Sequence, residues 1–544
     1  MMIKRTCFAF LVCCLLIKSN AQYSWNNLPK TVEPTFKKDT FNIAAYGAKP
    51  DGITLNSKSI NAAITACSKK GGGVVLVPAG LWLTGPVVMQ SNVNLYVSRA
   101  AILQFSNDFN QYPLVEGNFE GHVQARNQSP ISGDNLVNIA NTGKGMIDGS
   151  GDVWRMVGKD RLTENEWKKK VASGGLVSAD GKLWYPSAKT KKAHEEKLNG
   201  EITAGKTLKD FEAIKDYLRP NLLVLTTCKK ILLEGVTFQN SPAWNLHPLL
   251  CENLTVRNVF VKNPEYAQNG DGIDVESCRN VLIEGCTFDV GDDGICIKSG
   301  RDEEGRKRGR PTENMVIRNS TVYHAHGGFV IGSEMSGGAK NIFVYNCSFM
   351  GTDKGLRFKT ARGRGGIVEN IYCKDIYMKD IVSEAIYFDM YYFTKPPKPG
   401  EKVEVPAVTE ATPQFQNFYI DNIVCNGAEK GIFIRGLPEM SIKNINLNNL
   451  VLKTKTGIEI FEAENINLRN VKVEVSNSNP VVYIENSSKI SFDMLKYNDN
   501  AELLINANGE RTMTISFTNT DASKARVKTT FTNGAAENAV VIKK

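Results

Sequence analysis

The chain has 544 residues, 66 Lys and Arg against 57 Asp and Glu, a formal charge of +9 and 42% hydrophobic residues. That length far exceeds a typical single core, so it demands either several domains or one repetitive structure that grows by adding units. The mild basic excess is compatible with an acidic polymer as partner, and of 12 cysteines nine lie beyond residue 21, an odd number that argues against a fully paired disulfide framework.

Met1 to Ala21 opens with Lys4 and Arg5, runs apolar from Cys7 to Ile17 and ends Ser19-Asn20-Ala21. This predicts a secretory signal peptide cleaved after Ala21. The apolar run is too short to span a membrane, and Cys13-Cys14 sit mid-run, where a lipid-bearing cysteine is not expected. Residues 22–544 are expected to form one domain.

Asn56 to Lys69 predicts a helix, with Ile60, Ala63, Ile64 and Cys67 on one side. Within an N-terminal cap of about 41–105 it would cover the open end of a coil, whose apolar residues and strand edges need shielding. Gly71-Gly72-Gly73 precedes a strand instead of joining strand to helix, so it reads as a turn and not a phosphate loop. Further coils begin at Asn92 and Asn135. Between about 158 and 219 the rhythm stops and the sequence turns charged, with a helical piece at Leu208 to Leu218; an insertion folded over one end of a groove is expected.

From Ala243 onward one phrase recurs: a small residue followed by alternating apolar and outward residues, as in a strand with one buried face. Copies start at Ala243, Gly272, Gly294, Gly328, Gly355, Ala385, Gly431 and Gly457, separated by 29, 22, 34, 27, 30, 46 and 26 residues. A second phrase of Asn and alternating apolar residues recurs alongside it, at Asn253, Asn280, Asn314, Asn341, Asn370, Asn417 and Asn465. Short strands repeated at a minimum period with variable excess predict a coiled parallel β-solenoid. Cys228, Cys251 and Cys278 share one register, and Cys286 and Cys347 another, as a core stack would require. No spacing matches a zinc motif, and the His324-x-His326 pair lacks further ligands.

The acid is concentrated between Tyr266 and Gly300. Parallel rungs stack roughly 4.8 Å apart, so Asp271 and Asp293 become neighbours with Asp292 beside them. The next coil offers His326 in the register of Asp292, and the one after it Arg357 and Lys359. One Asp-Gly pair is ordinarily a turn. Stacked carboxylates repel, however, and like charges kept together without a purpose cost stability.

The four segments Asn269-Gly270-Asp271, Gly291-Asp292-Asp293, His326-Gly327-Gly328 and Arg357-Phe358-Lys359 stand in the order of the polygalacturonase signature, and the chain resembles that glycoside hydrolase family (family 28) from about Phe41 to Lys489. Gly270 stands where the family has Thr, and Ala325 where it has Gly before the His. The fold the resemblance implies is all-β: a single right-handed parallel β-helix with an N-terminal capping helix and a long insertion, its catalytic coils at about 240–400. It implies inverting hydrolysis of α-1,4-galacturonosyl linkages without a cofactor or metal. Asp292 is the implied general acid, Asp271 and Asp293 hold the water, and His326 tunes the acid. Asn269, Arg357, Lys359 and Lys298 are the implied substrate-binding residues.

Neighbouring coils alone place carboxyls closer than the roughly 6.5–9.5 Å usual for inverting enzymes. The arginines of Arg301–Arg310, expected as a loop, and Arg362 and Arg364 are candidates to grip substrate carboxylates. Beyond Lys489 the pattern loosens, and Arg511 to Lys544 reads as a terminal strand pair. Three readings stand: an exo-acting polygalacturonase, favoured by the insertion and the Gly332–Gly338 run GSEMSGG; a hydrolase of rhamnogalacturonan or another branched pectin; and a non-catalytic polysaccharide-binding solenoid. A monomer acting on polygalacturonate or pectin oligosaccharides, periplasmic or extracellular, with no nucleic acid and no membrane span, is expected.

Overall fold

A computed structural model describes residues 23–398, 401 and 404–543; the signal peptide expected at Met1–Ala21 lies outside them. The chain winds into a parallel β-helix. One 14-stranded sheet runs from Val87–Val88 to Ala525–Thr532, and a 23-stranded sheet forms the rest of each coil. The recurring phrase supplies the 14-stranded sheet. Its inward residues pair rung on rung, Ile273 with Ile295, Phe329 with Leu356, Ile386 with Ile432 and Ile458 with Val482. All are buried in one continuous core, each contributing about 1.5–3 kcal/mol of apolar burial.

The second phrase owes its Asn to the backbone. Asn280, Asn314 and Asn341 sit at φ 56°, 59° and 56°, a left-handed conformation that Asn tolerates better than other side chains. Their amides form a ladder, with Asn341 Nδ2 donating to Asn314 Oδ1 at 3.1 Å and Asn444 to Asn417 at 3.0 Å. Cys228, Cys251 and Cys278 are buried and unpaired; the Cys251 amide reaches Cys278 Sγ at 3.3 Å. The cap is the expected helix, α1 (Ser57–Lys69), with Ile60, Ala63, Ile64 and Cys67 buried against the first coils.

The insertion holds α2 (Glu164–Ala172), α3 (Ala188–Glu195), a small antiparallel sheet and Leu208–Tyr217, which is 3-10 helix. An antiparallel hairpin, Leu114–Phe119 with His122–Asn127, was not foreseen. The expected loop Arg301–Arg310 is instead largely α4 (Asp302–Arg308). Asp302, Glu303 and Glu304 fill its first turn and Arg306, Lys307 and Arg308 its last, matching the helix dipole, and Gly309 ends it in a left-handed cap at φ 57°. Nor does Arg511 to Lys544 form the expected terminal strand pair. Ala525–Thr532 continues the 14-stranded sheet in parallel, and Val540–Ile542 joins the other one. The last coils keep the alternation but lose the leading Gly that marked earlier copies.

Six strands of the 14-stranded sheet carry the candidate site: β1 (Leu246–Leu249), β2 (Ile273–Glu276), β3 (Asp293–Lys298), β4 (Gly327–Ile331), β5 (Leu356–Lys359) and β6 (Glu384–Asp389).

Candidate active site

Pairing of Ile273 with Ile295 sets Asp271 beside Asp293, and pairing of Asp293 with Gly327 sets Asp292 beside His326. The glycines after the two Asp residues serve this stacking. A Cβ on Gly272 would meet the Gly294 carbonyl at 2.4 Å, so only Gly lets the coils approach there. Gly270 has a local cause: in the turn that precedes Asp271 a Cβ would lie 2.7 Å from the Ala267 Cβ and carbonyl oxygen.

The three carboxylates are brought together, each offering an oxygen within 4.8 Å of the others. Oxygen clusters of this kind suit a hard cation, but here the protein spends its own cations on one member. Asp293 Oδ1 accepts from Arg357 Nη1 at 2.8 Å and Oδ2 from Lys359 Nζ at 2.8 Å. Burial alone would raise the Asp293 carboxyl; Lys359, Arg357 and Lys298 overcome it and hold the group well below the usual carboxylate range. Asp271, buried with Oδ1 unbonded, is pushed well above that range by burial and by Asp274 and Asp292. Asp274, missed in the sequence, is buried beneath it and raised to about 8 by burial, against the pull of Lys298. Burial and mutual repulsion therefore favour the protonated form of Asp271 and Asp274, whereas its cations favour the ionised form of Asp293.

Asp292 is the more open member, its side chain 22% exposed. Its Oδ1 takes both the Asp293 amide and His326 Nδ1, each at 3.0 Å. Oδ2 forms no hydrogen bond among the described residues. The hydrogen bond to Asp292 is the main cause that raises the His326 imidazolium above its ordinary 6.5, with burial opposing. The stabilisation this pair gives is complete below pH 6.5 and fades as pH rises through the higher folded value. An NMR titration of His326 should give a midpoint above 6.5 that falls in Asp292→Asn; an unmoved midpoint would refute the coupling.

Lys298 is buried to the same degree as Lys359. It lies 2.9 Å from Glu334 and 3.5 Å from Asp274, with Nζ 4.8 Å from the Trp244 ring centroid. Asn269 lies at the cluster's edge, its Oδ1 accepting from Arg219 Nη2 at 2.8 Å. Tyr392 was also missed. Its ring lies 4.8 Å from Lys359 Nζ and 5.8 Å from the Arg357 guanidinium, and it sits in an aperiodic loop that gave no sequence signal. Glu334 falls in the GSEMSGG run, which marked its neighbourhood but not its partner.

The arginines expected to grip substrate are mostly spent on protein carboxylates. Arg301 pairs with Glu120, Arg308 with Glu276, Arg362 with Glu439 and Arg364 with Asp302, at 3.3, 2.6, 2.5 and 2.5 Å. Several of these pairs tie walls together. On the N-terminal side the hairpin, the insertion and the start of α4 line a cavity of about 830 Å³ that reaches Asn269. On the C-terminal side the same face continues into a depression of about 670 Å³ over Phe433 and Phe461.

The sequence model of glycosyl hydrolases family 28 matches residues 159–412, and that of rhamnogalacturonase A/epimerase, pectate lyase-like, residues 40–146. The crystal structure of a hyperthermoactive exopolygalacturonase from Thermotoga maritima is 32% identical, covering 84% of this chain and 94% of its own, with a TM-score of 0.64. A probable polygalacturonase of Vitis vinifera is 28% identical over 421 residues, 76% of this chain and 74% of the relative. An exo-poly-alpha-D-galacturonosidase of Dickeya chrysanthemi is 28% identical over 370 residues, 66% of this chain and 59% of the relative. With its fold, its stacked carboxylates and these relatives, the chain belongs to glycosyl hydrolases family 28, among the polygalacturonases, and is a glycoside hydrolase.

Proposed function

We propose that the protein is an exported exo-polygalacturonase that removes sugar from an end of polygalacturonate by inverting acid/base hydrolysis. The observation that carries this reading is the wall of hairpin and insertion on the N-terminal side of the carboxylates, which lines a cavity reaching Asn269, while the opposite side continues over Phe433 and Phe461. A chain end fits against such a wall. The exo-acting relatives support it.

In this reading Asp292 protonates the leaving oxygen from Oδ2, the oxygen its two protein hydrogen bonds leave open. His326 holds Oδ1 and stabilises the carboxylate formed. Asp271 and Asp293 order the attacking water and take its proton between them as it bonds to the anomeric carbon, and Arg357 and Lys359, having fixed Asp293, present positive charge to the substrate beside Tyr392. Lys298 holds Asp274 and Glu334. Inversion follows the family pattern, although an approach within 4.8 Å is short for a pair flanking one water; two carboxylates sharing that water reconcile the two. Export rests on the Met1–Ala21 leader. No helix among the described residues is long and apolar enough to cross a membrane. A periplasmic or extracellular monomer is proposed.

Product analysis on polygalacturonate tests this. Monogalacturonate or digalacturonate alone from the first time point, as the β anomer by NMR, is the expected result. A ladder of oligomers would sink the exo reading, an α anomer the inverting one, and no product at all would direct attention to branched pectins.

A further inference from the structure

The N-terminal cavity contains two arginines whose charge the protein leaves unanswered. Arg126, on the hairpin, is 8% exposed, and Arg219, at the end of the insertion, is half-buried. Among the described residues neither forms an ion pair: Arg126 donates Nη2 to the Arg219 carbonyl, and Arg219 donates to the carbonyls of Pro242 and Gln268 and to Asn269 Oδ1. Of the four carboxylates that line the same cavity, Glu120 is engaged by Arg301 at 3.3 Å and Glu304 by His122 at 3.2 Å, while Glu116 and Glu201, like the two arginines, form no ion pair among the described residues. Arg155, buried behind them, adds a third guanidinium held only by Asn240, Asn263 and a carbonyl.

Burying like charges without a counter-ion is costly. Burial and the adjacent Arg219 push the Arg126 guanidinium down to about 9, so an arriving anion would relieve a real strain. The site is also built. The Arg126 guanidinium lies 3.7 Å from the Phe119 ring centroid, Phe119 stacks on Trp244 at 5.3 Å, and Lys298 lies 4.8 Å from Trp244. This column fixes the Arg126 plane relative to the strand carrying Lys298. A guanidinium has five N–H donors, and only one of those of Arg126 is used by the protein.

We propose that Arg126 and Arg219 form the subsite that receives the carboxylate of the substrate's terminal sugar, and so select a galacturonate over a neutral hexose at the walled end of the groove. This rests on the exo-acting reading above. It also reassigns carboxylate recognition from the arginines of Arg301–Arg310 and from Arg362 and Arg364, most of which are neutralised by partners, to two that are not.

The test is calorimetric binding of D-galacturonate and of D-galactose to the full chain, ligands that differ in the carboxylate. Galacturonate is expected to bind about 10- to 100-fold more tightly, as charge-assisted hydrogen bonds to a buried guanidinium pair imply. Arg126→Gln should erase most of that difference and Arg126→Lys should retain part of it; Arg219→Gln serves if Arg126→Gln does not fold. Equal affinity for the two sugars, or an unchanged ratio in a folded Arg126→Gln, would overturn the proposal. Because binding needs no turnover, the two readings separate. A protein that prefers galacturonate through Arg126 but cleaves no polygalacturonate would keep this subsite and remove the exo-polygalacturonase assignment.

Discussion

Asp292→Asn is expected to lower kcat on polygalacturonate by about 10³-fold, within the range that positioned general acids contribute, with KM and stability nearly unchanged. The substitution keeps the shape of the side chain and an oxygen to accept from the Asp293 amide and His326. What it removes is the transferable proton on the remaining atom. Asp292 is the member of the trio with an open side, so the stability cost of the change is small; Asp271 and Asp293 are almost fully buried, and equivalent changes there would confound chemistry with folding. Initial rates from reducing-end release, with urea denaturation as the control for folding, decide the matter. A variant that keeps a tenth of wild-type turnover would remove Asp292 from the role of acid.

Lys359→Met should cost both activity and fold. Asp293 is 1% exposed, and its two oxygens are held separately by Arg357 and Lys359. Deleting one partner of a buried ion pair leaves a charge that water cannot reach, typically a loss of about 3–5 kcal/mol. The pH dependence distinguishes this cause from a packing defect. Asp293 is held below its ordinary 3.8, so the stabilisation it gains is complete above that value and is lost as pH falls through the folded one. The gap between wild type and variant is thus expected to be widest at neutral pH and to narrow near pH ~3. Turnover should fall by about 10²-fold or more as Asp293 loses its ionised form. A gap independent of pH would show that Lys359 acts through its bulk and not its charge.

The register of the site was legible in the sequence because a parallel rung has one repeat distance and one alternation. Once the phrases at Gly272, Gly294 and Gly328 are aligned, Asp271 can only neighbour Asp293, and Asp292 can only neighbour His326. The capping helix was legible for a similar reason, its apolar face being written at helical spacing at Ile60, Ala63, Ile64 and Cys67. The Asn phrase revealed the period without revealing its cause, which is a left-handed backbone position in each coil.

Charge pairing was not legible. Arg364 and Asp302 are 62 residues apart, and Arg362 and Glu439 are 77 apart, separations set by loop lengths that carry no periodic signal. The sequence therefore presented a set of arginines as alike, whereas the folded chain divides them into those that tie walls together and those, Arg126 and Arg219, left facing a cavity. Asp274, an outward residue of the same phrase as Asp271, likewise became a buried carboxyl only when Lys298 and Glu334 closed over it. Local alternation thus determined the coil, its register and the identity of the stacked acids. Which charges are spent within the protein and which remain for a ligand was decided only by tertiary packing, because an ion pair depends on where distant loops come to rest and not on the spacing along any one strand.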